Sequence, residues 1–382
     1  MTRTRVDLPL LFAVLFLIAL GVVMVYSSSW VVAEKNFGDG LHYLKRQSLY
    51  AVAAVLALMV GALIDPAFWA KRIYPWLGLC FFLLLIVLIP GVGAAAGIAR
   101  RWIALGPITI QAGEPLKFFL VVYLAHSMAK KGARMSSFSV GLAPHLIIPG
   151  AAFLLLLAEP DFGTCLMLAT ITGMMLFVGG ARITYLLAGV LAVVPIALYL
   201  VMSSAYRMRR IIAFLDPWAH RYDVGYQITE SLMTLGSGGA TGLGLGDGRQ
   251  KLFYLPAGHT DFILANIGEE LGFVGVFLVA CAFLVILARG AKAALTHTEP
   301  FLSYMALGLT SILVVQAAFN VAVVLGVVPT KGLTLPFLSY GGSSLVTSAF
   351  LAGVLLRICG DASPVLERRS ARSLPPTEGV VA

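Results

Sequence analysis

Apolar stretches recur along the whole chain, near residues 8–26, 48–64, 73–89, 114–129, 142–158, 163–180, 184–203, 262–288, 302–327 and 339–358. A helix needs roughly 17 to 25 apolar residues to cross a bilayer, and each stretch approaches or meets that length between boundaries of charge, Gly or Pro. Little sequence remains for a separate soluble domain. The pattern therefore predicts an all-α integral membrane protein, a polytopic bundle of about ten transmembrane helices over residues 1–360. Only residues 204–261 form a long polar interruption, and the tail at 361–382 has too little apolar material to pack and is expected to be disordered. The first stretch follows Arg3 and Arg5 and outlasts the core of a cleavable signal peptide, so it reads as a retained signal anchor.

Composition agrees: of 382 residues, 59% are hydrophobic and 12% charged, against roughly 25% charged in soluble domains. The net charge of +9 is explained by topology and calls for no nucleic acid. Fourteen Lys and Arg residues flank one side of the predicted helices, from Arg3 and Arg5 to Arg372, against six in the short loops of the other side. The positive-inside rule then places both termini in the cytoplasm and residues 204–261 outside. Cys80, Cys165, Cys281 and Cys359 show no C-x-x-C spacing and read as packing residues.

Charged side chains at membrane depth need partners or a wet cavity, and four places raise that conflict. In Gln111-Ala-Gly-Glu-Pro-Leu-Lys117, Gly113 suits an N-cap and Pro115 a first helical turn, and Glu114 and Lys117 share a face three residues apart. They form either an internal ion pair or part of a substrate cavity. Glu159-Pro-Asp-Phe-Gly163 carries two carboxylates without an adjacent base and reads as a solvated outward turn.

The third place is the 204–261 loop, with Arg207, Arg209, Arg210, Asp216-Pro-Trp218, Gly225-Tyr-Gln227, a glycine-rich run from Gly236 to Gly248, Lys251-Leu-Phe-Tyr-Leu-Pro256 and His259-Thr-Asp261. Guanidinium groups on the outer face match a phosphate, from lipid headgroups or from a substrate. The fourth is Pro329-Thr-Lys-Gly-Leu-Thr-Leu-Pro336 with Ser339-Tyr-Gly-Gly-Ser-Ser344, where a cation and small residues at a helix start suit either an anion or close helix contact. Gln316 and Asn320, one turn apart, read as interhelical glue. No H-E-x-x-H, Walker or G-x-S-x-G pattern occurs, which argues against zinc proteases, ATP motors and serine hydrolases.

These motifs resemble the SEDS family (shape, elongation, division and sporulation) over about residues 10 to 358, and its division branch more than its elongation branch. The resemblance lies in Arg101-Trp-Ile with Leu105-Gly-Pro and Gln111, in Arg209-Arg210 through Gly225-Tyr-Gln227, in Lys251 through Ile263, and in Pro329 through Pro336. Two departures stand out. Ala112, Gly113 and Pro115 replace the family's usual Pro, Ser and Leu, and Ala257-Gly258 replaces Glu-Ala ahead of His259.

The resemblance implies a peptidoglycan glycosyltransferase of the bacterial inner membrane, concentrated at the division septum. It would polymerise lipid II with inversion and release undecaprenyl pyrophosphate. Asp261 would be the catalytic base. Arg209, Arg210, Lys251, His259, Lys331, Ser343 and Ser344 would contact substrate, with Glu114, Lys117, Arg101 and Gln227 shaping the cavity. No protein metal site is expected, although a divalent cation, Mg or Mn, could share the leaving-group charge. The implied partners are membrane lipids, a class B penicillin-binding protein and other division proteins. A lipid II flippase and a divisome scaffold are the rival functions.

Overall fold

The computed structural model describes residues 6–89, 93–96, 99–105, 108–248, 258–330 and 332–372. Its helices run in chain order as α1 (Leu8–Phe37), α2 (His42–Leu63), the short α3 (Pro66–Lys71), α4 (Ile73–Leu88), α5 (Gly113–Lys131), α6 (Ala143–Ala158), α7 (Phe162–Val178), α8 (Ile183–Met202), α9 (Ala205–Leu215), α10 (Tyr226–Ser237), α11 (Ile263–Thr296), α12 (Pro300–Val324) and α13 (Gly342–Arg372). Each predicted apolar stretch has its helix. Among the described residues six spans are long and apolar enough to cross a membrane outright, and α4, α7 and the first part of α8 are shorter apolar helices. The remaining long helix, α5, carries Glu114 and Lys117 in its first turns.

Helix α1 outruns its predicted end because its serines bond within the helix and to a neighbour. The Ser28 and Ser29 hydroxyls donate to carbonyls one turn back, and Ser27 Oγ donates to Glu270 Oε1 on α11 at 2.7 Å. At the other end Asp7 caps the helix by accepting from Leu10 N and pairs with Arg289 of α11. Where α2 crosses α13, glycines set the distance between backbones. A Cβ on Gly61 would stand 3.0 Å from Val354 N, and Gly353 faces the Leu58 backbone in return.

Three departures from the sequence reading matter. First, residues 93–111 contain an antiparallel sheet, β1 (Gly93–Ala96), β2 (Ala99–Leu105) and β3 (Ile108–Gln111), with Trp102 opposite Gln111 and Ile103 opposite Ile110. Second, α5 starts at Gly113, so that residue lies inside the first turn and Ala112 occupies the cap. Third, the α13 backbone stays helical to Arg372, through part of the tail expected to be disordered. Extending an existing helix costs far less than nucleating one. Residues 373–382 lie outside the described residues.

The long loop is built around a break in α11. Gly272 has φ 66 and ψ −162, conformations open to glycine alone, and interrupts the helix one turn after Glu269. The backbone groups freed there are taken up by the glycine-rich run. Leu243 N and Gly244 N donate to the carbonyls of Glu269 and Glu270 at 2.9 and 3.1 Å, while Phe273 N and Val274 N donate to Gly239 O and Ala240 O. Such a break in a membrane protein is tolerable where the freed backbone groups find partners in protein, as these four do. Glu270 completes the joint by accepting from Ser27 and from Gly246 N.

Candidate active site

Asp261 precedes α11 and lies partly exposed, yet closely surrounded by protein. The helix takes Phe262 as its N-cap without any side-chain cap bond, so the Asp261 carboxylate is not spent on capping. Its backbone is held instead. Asn320 Nδ2 of α12 bridges Asp261 O at 2.7 Å and Leu333 O at 2.8 Å. Tyr340 N donates to His259 O, and Ser339 Oγ donates to Thr260 O while accepting from Leu335 N. Three consecutive residues are thus fixed by α12 and by the segment leading into α13. That segment stores some strain, since Phe337 is buried with φ 69.

Burial pushes the Asp261 carboxyl up to about 6, against the opposing pull of Arg210 first and Arg101 second. The result is a carboxylate that is mostly ionised at neutral pH but a better base than an exposed aspartate. Arg210 is positioned by α9 and donates to Thr330 O at 2.6 Å, which links the long loop to the Pro329–Pro336 segment. Arg209, its neighbour on α9, is exposed. Gln227 is half-buried in the first turn of α10. His259 packs its ring against Tyr43 of α2 and Tyr340, with centroids 4.9 and 5.8 Å away, and burial lowers its pKa. It serves as a neutral wall two residues from Asp261.

Arg101, on β2, pairs with Asp161 Oδ1 at 3.4 Å and donates to Pro160 O. Asp161 also accepts from Gln111 Nε2 and from Thr164 N, capping α7. The Glu159–Gly163 turn is therefore not the solvated turn expected from its two carboxylates. Glu159 and Asp161 are each 1% exposed, because β2 and β3 lay Arg101 and Gln111 over the turn.

Below it, Lys117 Nζ donates to Glu114 Oε1 and to Gln316 Oε1, and Gln316 Nε2 donates to Thr334 O at 2.9 Å. The chain continues through the Thr334–Ser344 hydroxyl pair at 2.8 Å. Ser343 Oγ donates to Thr109 O of β3. Gln316 and Asn320 thus tie α12 to loop backbone and to Lys117, a more specific task than gluing helices together. Lys251 and Lys331 lie outside the described residues.

The structure brings Asp261, Arg210 and Arg101 into one electrostatic group and hangs Glu114, Lys117 and Ser344 beneath the loop that fixes it. Sequence reasoning missed Asn320, Thr334, Tyr43 and Tyr340 as parts of this frame. It also missed the sheet, although Gly106-Pro107 between Trp102-Ile103 and Ile108-Thr-Ile110 was a legible turn signal.

Comparisons with known proteins agree with this architecture. The family described as "Cell cycle protein" (FtsW, RodA, SpoVE) matches residues 8–363. The chain is 45% identical over 354 residues to a probable peptidoglycan glycosyltransferase FtsW of Geobacter sulfurreducens, covering 93% of this chain and 95% of that protein. It is 41% identical to stage V sporulation protein E of Bacillus subtilis, over 93% of this chain and 97% of that one. In solved structures, it resembles a chain of a peptidoglycan synthase complex that coordinates polymerization and crosslinking, with TM-score 0.78 and 28% identity over 94% of this chain and 98% of that one. Thermus thermophilus RodA matches with TM-score 0.70 and 27% identity, over 95% and 99% of the two chains. The chain belongs to the SEDS family of multi-pass membrane proteins.

Proposed function

We propose that this protein is a septal peptidoglycan glycosyltransferase that polymerises lipid II at the outer face of the inner membrane, with Asp261 as general base. One observation carries the reading: a partly open carboxylate whose backbone is fixed on three sides, whose basicity is raised by burial, and which stands in the field of two arginines. Joining two sugars requires removal of a proton from the acceptor hydroxyl and stabilisation of the negative charge on the departing pyrophosphate. Asp261 takes the proton, and the O–C bond forms as the bond to undecaprenyl pyrophosphate breaks. The arginines of α9 and the lysines at 251 and 331 meet the leaving group.

Among the described residues no three His, Cys, Asp or Glu side chains converge as a metal cage, and no step is assigned to a divalent cation. The likeness to a chain from a polymerising and crosslinking complex supports a class B penicillin-binding protein as partner. The excess of inner-side Lys and Arg supports cytoplasmic termini.

Purified protein with fluorescent lipid II, in the presence of that partner with its transpeptidase blocked, tests the reading. Glycan strands are expected. Leaflet exchange of lipid II without strands would mean a flippase, and neither activity would leave a scaffold.

A further inference from the structure

Glu159 closes α6 in the turn to α7, 1% exposed, and neither carboxyl oxygen meets a hydrogen-bond partner among the described residues. Asp161, two residues on, has taken what the surroundings offer: Arg101 Nη1, Gln111 Nε2 and the amide of Thr164. An ionised carboxylate stripped of water and left without a donor is among the costliest groups a protein interior can hold, and it escapes by keeping its proton. Burial first, and the charge of Asp161 second, push Glu159 up to about 8, with Arg101 pulling the other way.

Among the described side chains, no other charge intervenes from the elements packed on this turn; Arg100, beside Arg101 on β2, lies outside them. Helices α4 and α7 carry no charged residue. Those at the near end of α5, Glu114 and Lys117, are closed on each other. Arg101 is the one cation that faces both this turn and Asp261 among the described residues.

We infer that Glu159 is a positioning residue that works as a neutral carboxylic acid: while it holds its proton, the Arg101 guanidinium is left to Asp161 and Asp261, and when it ionises it draws Arg101 away from the catalytic aspartate. The inference rests on the reading of Asp261 as general base. Glu159 touches no reacting atom in this scheme. It acts through Arg101 and would place an upper pH limit on activity.

The test compares wild-type protein with Glu159→Gln, which imitates the protonated side chain. Strand synthesis is followed from pH 6.5 to 9.5 with the full-length protein and its transpeptidase-blocked partner. The wild-type rate is expected to fall about tenfold per pH unit above about 8, and the variant to stay within about twofold of its neutral-pH rate. The same alkaline fall in both proteins, or no fall in either, would overturn the proposal.

A second measurement does not depend on catalysis. A carboxyl whose folded pKa is raised binds more protons in the native state than in the unfolded one, so it costs stability as pH rises from about 4.5 to 8. The unfolding midpoint of Glu159→Gln should therefore climb relative to wild type between pH 5 and pH 8. A constant difference would contradict a retained proton. Absence of strands at every pH would instead contradict the proposed function, with the stability comparison still deciding the state of Glu159.

Discussion

Lys117 Nζ lies 2.8 Å from Glu114 Oε1, one turn apart on α5, with side chains only 2% and 5% exposed. Neither charge could enter this environment alone, since an uncompensated buried ion costs about 3–5 kcal/mol. Glu114→Gln and Lys117→Met should each lower the unfolding midpoint and activity more than the two changes do together. A double-mutant cycle on protein in detergent checks this, with a coupling of at least about 1 kcal/mol expected. The double variant still leaves Gln316 to hold Thr334.

The α11 break makes a separate demand on Gly272. Any Cβ there would meet Ala240 O at 2.6 Å, and a side chain at φ 66, ψ −162 adds about 1–3 kcal/mol of strain. Gly272→Ala should undock residues 239–244 from the broken helix and raise the rate of proteolytic cutting within 236–248. Gly236→Ala, with open space around its Cβ, should leave cutting near the wild-type rate.

Topology is tested with single cysteines in a background freed of the native ones. Ser237, exposed at the end of α10, should be modified as Ser237→Cys by an impermeant thiol reagent in intact cells. Ser370→Cys should react only after the membrane is opened. The reverse pattern would invert the assignment.

Asp261 sets a lower pH limit. Its carboxyl, raised to about 6, is active only when ionised, so kcat/KM for lipid II should fall about tenfold per unit below pH 6 and level off between about pH 7 and 8, below the alkaline limit set by Glu159. Because the folded pKa is raised, ionisation of Asp261 opposes folding as pH climbs from about 4 to 6. Asp261→Asn should accordingly unfold at a higher temperature than wild type at pH 7.5, a sign opposite to that expected for a structural cap.

Much of the fold was legible because hydrophobic periodicity in a membrane is enforced by lipid, which leaves helices few alternatives. The Glu114–Lys117 pair was legible for the same reason, since two charges three residues apart in an apolar run must find each other. Burial of the Glu159–Gly163 turn was not legible. It depends on β2 and β3 delivering Arg101 and Gln111 from some fifty to sixty residues away in sequence, and local polarity says nothing about such a lid. The role of Asn320 was hidden likewise. Its amide reaches Asp261 O and Leu333 O only because α12 packs beside both segments. The break at Gly272 left no mark on an apolar run that reads as continuous.

Proton abstraction by Asp261 is the centre of this account, and Asp261→Asn tests it most directly. The change keeps the side chain's size and removes the basic oxygen. Initial rates of strand formation are measured at pH 7.5 with the blocked-transpeptidase partner, alongside lipid II binding by the same preparation. A fall of roughly 10² to 10⁴-fold in rate, with binding near normal, is the predicted result, and strand formation at close to the wild-type rate would contradict it.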